Sequence, residues 1–251
     1  MPSPLVFIHP FPLDASFWDE LIRELPRDRD MHSVGFPGFG GVEPLQSPSI
    51  VGHADAVASQ IRGGGGPAVL VGCSMGGFVA LSIVARHPEC VSGLVLTGTA
   101  AGGDPPERRA ERDGAIELIA REGHQEFVAE FAASLPAQPV RPALARRIEE
   151  MTSRTSAPAV SAAIAALRDR PDRRPDLAHI AVPTLVVAGA DDPRTPREAM
   201  VELAEQVPDA RMVLVADAGH LAPLEQPRAV AEHIIGYLNE DLREGPGRPT
   251  R

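Results

Sequence analysis

Short apolar runs alternate along this chain with stretches whose apolar positions recur at helical spacing. Leu5 to Ile8, bounded by Pro4 and Pro10, reads as a buried strand. Phe17, Leu21, Ile22 and Leu25 then mark one helical face, with Asp14 or Ser16 as its cap. Met31 to Val34 is a second strand, and the glycine-rich loop Gly35 to Gly41 follows it. Ser49 to Arg62 predicts a helix with Val51, Ala54, Ala58 and Ile61 inward, and Gly63 to Gly66 connects it to the next apolar run. That run passes through Gly72-Cys-Ser-Met-Gly76 into a helix over Phe78 to Arg86, and Val91 to Leu96 is again a strand. A β-α-β-α rhythm of this kind predicts a doubly wound, mostly parallel sheet with flanking helices.

From about residue 101 to 178 the rhythm breaks. Strands vanish, and helical segments interrupted by Pro136, Pro139, Pro142 and Pro158 take their place. This reads as a helical cap insertion, with Ile116, Leu118, Ile119, Phe127, Val128 and Phe131 against the sheet edge or a pocket. The alternation resumes with a strand over Thr184 to Ala188, a helix over Arg197 to Val207, a strand over Arg211 to Val215 and a helix over Pro227 to Leu242. Residues 1–100 and 179–242 therefore form the expected core, and 243–251 a disordered tail.

One corner carries chemistry. Ser74 falls where a strand meets a helix, with glycines two positions before and after it, as a tight turn and close strand-to-helix crossing require. A serine hydroxyl is a weak nucleophile, so it needs a base oriented by a carboxylate. His220, in Ala218-Gly-His220, follows the last strand, and Asp191 and Asp192 follow the strand before it. All lie just beyond strand C-termini, the edge where open α/β sheets place their sites.

With these residues in the order Ser, Asp, His, the sequence resembles the α/β-hydrolase superfamily, especially small serine esterases and enol-lactonases. Phe7-Ile-His-Pro-Phe11 is similar to the family's oxyanion loop, Phe36-Pro-Gly-Phe-Gly40 to its next glycine-rich loop, and Gly219 to Pro227 to its histidine loop. The resemblance implies an α/β-hydrolase fold with about six parallel strands, because the family's initial hairpin has no room here. It also implies Ser74 as nucleophile, His220 as base and Asp192 as acid, the family pattern placing the acid three residues after glycine, while Asp191 caps the turn. The implied oxyanion donors are the N–H groups of Met75 and Phe11, although Pro10 stands where the family has glycine. Leu13 and Leu221 flank these loops and are expected to contact substrate.

Composition narrows the partners. A net charge of −10 argues against nucleic acid and anionic membranes. The two cysteines do not suggest a disulfide scaffold, and neither a leader nor a membrane span is legible, so a cytoplasmic protein is expected. No histidine has metal-ligand spacing, so neither metal nor other cofactor is expected. His9 reads as orienting its loop, the histidines other than His9 and His220 as surface or capping residues, and Cys73 as packed beneath the corner. The function expected is hydrolysis of a small carboxylic ester or lactone through an acyl-enzyme on Ser74. The alternatives are a natural-product tailoring enzyme of the same fold (cyclase, lyase, acyltransferase or C–C hydrolase) and a low-turnover ligand-binding or signalling protein. Oligomeric state is not legible.

Overall fold

The computed structural model describes residues 2–42, 48–240 and 242; the tail expected at 243–251 lies outside the described residues. Strand β1 (Leu5–Ile8) is followed by a 3-10 turn (Ala15–Trp18), helix α1 (Asp19–Glu24), β2 (Met31–Val34) and α2 (Ile50–Gly63). Next come β3 (Ala68–Cys73), α3 (Met75–Arg86) and β4 (Val91–Thr97). Four helices separate β4 from the following strand: α4 (Pro106–Glu122), α5 (Gln125–Ala133), α6 (Pro142–Thr152) and α7 (Ala157–Arg168). The chain closes with β5 (Thr184–Gly189), α8 (Arg197–Gln206), β6 (Ala210–Val215), α9 (Ala222–Glu225) and α10 (Pro227–Glu240).

The six strands form one sheet in the order β2-β1-β3-β4-β5-β6, and every neighbouring pair is parallel. The central strands are buried on both faces, which is why they read as continuous apolar runs. Side chains nevertheless alternate. Val6, Ile8, Leu70, Leu94, Leu96 and Val186 pack with α2, α3 and α8, whereas Leu5, Phe7, Val69, Val71, Val95 and Val187 pack with α1 and α10. The order in which strands are added reverses between β1 and β3, so the crevice of this sheet opens above their C-terminal ends.

Local chemistry explains the helix starts. Asp14 rather than Ser16 caps the first helical turn, its carboxylate accepting from the Ser16 N–H at 2.9 Å. Ser49 caps α2 by accepting from the Gly52 N–H. With that cap the buried face of α2 runs through Ile50, Ala54, Val57, Ala58 and Ile61, and Val51, expected inward, is only half-buried. His53 is a second correction: it lies on this buried face beside Phe36, not on the surface. Between β4 and β5, Ile119 and Val128 are buried and Ile116, Phe127 and Phe131 pack against the same core, whereas Leu118 is half-buried.

The tightest crossing is at Gly76, where a Cβ would lie 1.9 Å from the carbonyl oxygen of Ile8. Gly114, in the exposed part of α4, has open space around it. Gly76→Ala is therefore expected to destabilise the fold by ~3 kcal/mol or more, and Gly114→Ala to stabilise it by roughly 0.5–1 kcal/mol. Denaturant unfolding of the two variants checks the opposite signs.

Candidate active site

Ser74 is the single residue between β3 and α3, with φ 50° and ψ −113°, a left-handed conformation that a serine adopts only under constraint. The constraint is visible on both sides of the residue. Its N–H donates to the Thr97 carbonyl at 2.9 Å, and its own carbonyl accepts from the N–H groups of Gly77 and Phe78 and from the Thr99 hydroxyl. Gly72 permits the corner, since a Cβ there would meet the Gly76 carbonyl at 2.6 Å. From residue 68 to 77 every position is buried except Ser74, which is half-buried. Met75 follows as the first residue of α3, and its N–H has no acceptor within the helix.

His220 lies beyond β6 and Asp192 beyond β5. The imidazole Nδ1 stands 3.0 Å from Asp192 Oδ2 and 3.1 Å from Oδ1, and both side chains are almost fully buried. Asp192 Oδ1 also accepts from the N–H groups of Arg194 and Thr195 at 2.8 and 3.0 Å. Burial would raise the Asp192 pKa, but the His220 hydrogen bond and charge and these two N–H groups outweigh it and hold the carboxyl below the usual range. Asp192 thus both meets the histidine and caps the turn. The cap expected of Asp191 is corrected accordingly: Asp191 is exposed, and its N–H donates to Ala218.

The first loop is set by His9, which is fully buried. Its Nε2 accepts from the Phe36 N–H at 3.1 Å, leaving Nδ1–H to face the Pro10 carbonyl at 3.0 Å. Burial, partly offset by the Pro10 carbonyl and the Asp14 charge, lowers the His9 pKa to about 4, so the ring orients the loop as a neutral group. The Phe11 ring is packed edge-on against Phe39 and against Phe131 of α5. Leu13 and Leu221 are fully buried in the cluster that also holds Trp18 and Leu224. Met75 belongs to the cluster on the opposite face. Beneath Ser74, Cys73 is fully buried and its thiol pKa is pushed up to about 12 by that burial, so it remains protonated.

Sequence reasoning gave no role to Glu225. Its buried carboxylate accepts from Gly219 N–H at 2.9 Å and Leu221 N–H at 3.0 Å, one on either side of His220, and from Ala137 N–H at 2.8 Å. The His220 N–H in turn donates to the Leu135 carbonyl at 3.0 Å. Burial raises the Glu225 pKa, with the three N–H groups opposing and Asp192 reinforcing the rise. The readable signal was a lone acid closing the apolar stretch Leu221-Ala-Pro-Leu-Glu225. Among the described residues there is no group of three His, Cys, Asp or Glu side chains placed to hold a metal, and no helix is long and apolar enough to cross a membrane.

Comparison with known proteins identifies the family and the fold. Residues 5–233 match the profile of the alpha/beta hydrolase family. The chain is 31% identical to the pimeloyl-[acyl-carrier protein] methyl ester esterase of Aromatoleum aromaticum, over 96% of this chain and 98% of that protein. It superimposes on a thermophilic esterase from Thermogutta terrifontis, solved with malate bound, with a TM-score of 0.90 and 30% identity over 96% of this chain and 90% of the other. In fold alone it is similar to the enol-lactonase of Burkholderia xenovorans LB400, with a TM-score of 0.87 at 22% identity over 96% of this chain and 92% of that one.

Two expectations follow from the buried groups. Glu225→Gln puts an amide N–H₂ against backbone donors and is expected to cost about 1–3 kcal/mol in denaturant unfolding, with Glu225→Ala at or beyond the upper end. His53, like His9, has its pKa lowered by burial from 6.5 to about 4. The unfolded chain therefore takes up protons first as pH falls, and stability is lost between pH 6.5 and 4. At pH 5 the loss relative to pH 7 should be roughly 2 kcal/mol per histidine, and His53→Phe should remove its share. Unfolding of both proteins at the two pH values measures this.

Proposed function

The chain belongs to the alpha/beta hydrolase family, and from that premise we propose that it is a cofactor-independent serine hydrolase that cleaves a small carboxylic ester or lactone. The observation that carries the reading is the Asp192–His220 pair behind the constrained Ser74 corner. Nδ1–H bonded to the carboxylate leaves Nε2 as the basic nitrogen. His220 takes the Ser74 proton, the hydroxyl oxygen attacks the carbonyl, and the N–H groups of Met75 and Phe11 hold the tetrahedral oxyanion. His220 then gives its proton to the departing alcohol, leaving an acyl-enzyme. Water, deprotonated by the same Nε2, releases the acid and restores Ser74. Asp192 stays ionised throughout and stabilises the imidazolium, which its low pKa supports.

In this reading residues 101–178 are a cap over a core formed by 1–100 and 179–242. The Phe131–Phe11 ring contact and the bond between the Leu135 carbonyl and the His220 N–H support it. Leu13 and Leu221, fully buried, back the catalytic loops from the core side, and Phe131 supplies apolar wall on the cap side. Similarity to the methyl ester esterase over nearly the whole of both chains makes methyl esters of carboxylic acids the first substrates to assay.

A panel of esters and lactones assayed on wild type and Ser74→Ala tests the proposal. The variant is expected to lose on the order of 10⁴-fold or more in kcat, and a serine-directed phosphonate to label Ser74 in folded wild-type protein. Retained turnover in the variant, or labelling elsewhere, overturns it.

A further inference from the structure

Arg194 stands two residues after Asp192, and its N–H is one of the two that hold that carboxylate. Its guanidinium lies over the Phe131 ring, 4.6 Å from the centroid, and the Phe131 ring in turn touches Phe11 in the loop proposed to carry an oxyanion donor. One ring therefore separates this cation from the residue that would contact the reacting carbonyl. Arginine does not shed its charge inside proteins, so a half-buried guanidinium must be answered by a partner.

Other arginines, the nearby Arg108 and Arg112 among them, have such partners. Arg108 pairs with Glu111, Arg112 and Arg170 share the buried Asp104, and Arg154 reaches Asp14. Among the described residues no carboxylate lies within ion-pair distance of Arg194. Acids are not scarce, since the chain has 34 of them against 24 arginines. Burial, and then the nearby charges of Arg108 and Arg112, disfavour the Arg194 cation, and the charges of Glu111 and Asp192 offset them only in part. A phenyl face answers it more weakly than the planar fork of a carboxylate or phosphate would.

We infer that Arg194 is an anion subsite beside the proposed acyl site, so that the preferred ester carries a carboxylate or phosphate away from the scissile bond. The inference rests on the ester-hydrolase reading above and adds to it a substrate class. Carboxylate and phosphate share the chemistry, and they differ in where each sits, on the acyl chain or on the alcohol side.

The test compares three methyl or alkyl esters of equal length: a neutral one, one with a terminal carboxylate on the acyl chain, and one with a phosphate on the alcohol. Wild type is expected to prefer one anionic ester over the neutral one by about tenfold or more in kcat/KM, mainly through KM. That preference should weaken as salt is added. Arg194→Gln should bring the ratio close to one, and Arg194→Lys should keep part of it. Because the ratio is read, damage to the Asp192 loop, which lowers all esters alike, does not imitate the effect. Calorimetric titration of the same esters onto Ser74→Ala, with and without Arg194→Gln, reads the preference in binding even where turnover is absent. A wild-type ratio near one, or a ratio that survives Arg194→Gln, overturns the subsite while leaving hydrolysis of the neutral ester intact. Absence of turnover on every ester would instead count against the hydrolase reading, with the titration still deciding the subsite.

Discussion

Thr97 and Gly98, where β4 ends, touch each of the three loops that bring the candidate catalytic residues together. The Thr97 carbonyl takes the Ser74 N–H and so holds the corner in its left-handed conformation. Gly98, itself at φ +52°, leaves room for the imidazole: a Cβ there would sit 3.0 Å from both the Nδ1 and the carbonyl oxygen of His220. Its own carbonyl accepts from the Thr195 hydroxyl at 3.0 Å, which ties down the loop bearing Asp192. The proposed nucleophile, base and acid come from segments far apart in sequence, yet one dipeptide in the middle of the sheet touches all three loops. The rigid sheet beneath it makes that spacing a property of the fold and not of flexible loops.

Two carboxylates act on His220 and do different work. Asp192 faces the ring, and the bond it makes there outweighs its burial, so it remains ionised. Glu225 faces the backbone on either side of the same residue, and for it burial wins and the pKa rises. The ring is thereby oriented from one side and its main chain from the other. Ala137, bonded to Glu225, and Leu135, bonded to the His220 N–H, belong to the chain between α5 and α6. The helices inserted between β4 and β5 are thus mechanically joined to the histidine loop as well as packed against Phe11 of the first loop.

The sheet and the corner were legible because their signals are local. A strand buried on both faces must be apolar throughout, and a serine at a strand-to-helix corner must have glycine at Gly72 and Gly76, whose neighbours stand too close for any Cβ. The preference for Asp192 over Asp191 rests on the family pattern that the resemblance supplies, counted from Gly189. What spacing misassigned depended on tertiary packing. On α2 the expected Ala54, Ala58 and Ile61 do face inward, but the buried face also takes in Ile50, His53 and Val57 and leaves Val51 half-buried. Glu225 received no role, because nothing local says that backbone N–H groups from its own loop and from the distant Ala137 converge on it.

The same contrast separates reaction type from substrate choice. Ser74, Asp192 and His220 each occupy a fixed offset from a strand end, so any chain that builds the sheet brings them to one edge. Phe11, Phe131 and Arg194 meet only because α5 is set down at one angle across that edge. Four helices broken by prolines admit many such placements from similar sequences, and a shift of one helical turn would move Phe131 from both its partners. In the proposed function, chemistry is therefore anchored to the sheet while selectivity is anchored to the inserted helices. Glu225 is where the two are bound together, because its one carboxylate accepts from Ala137 in the inserted segment and from Gly219 beside His220.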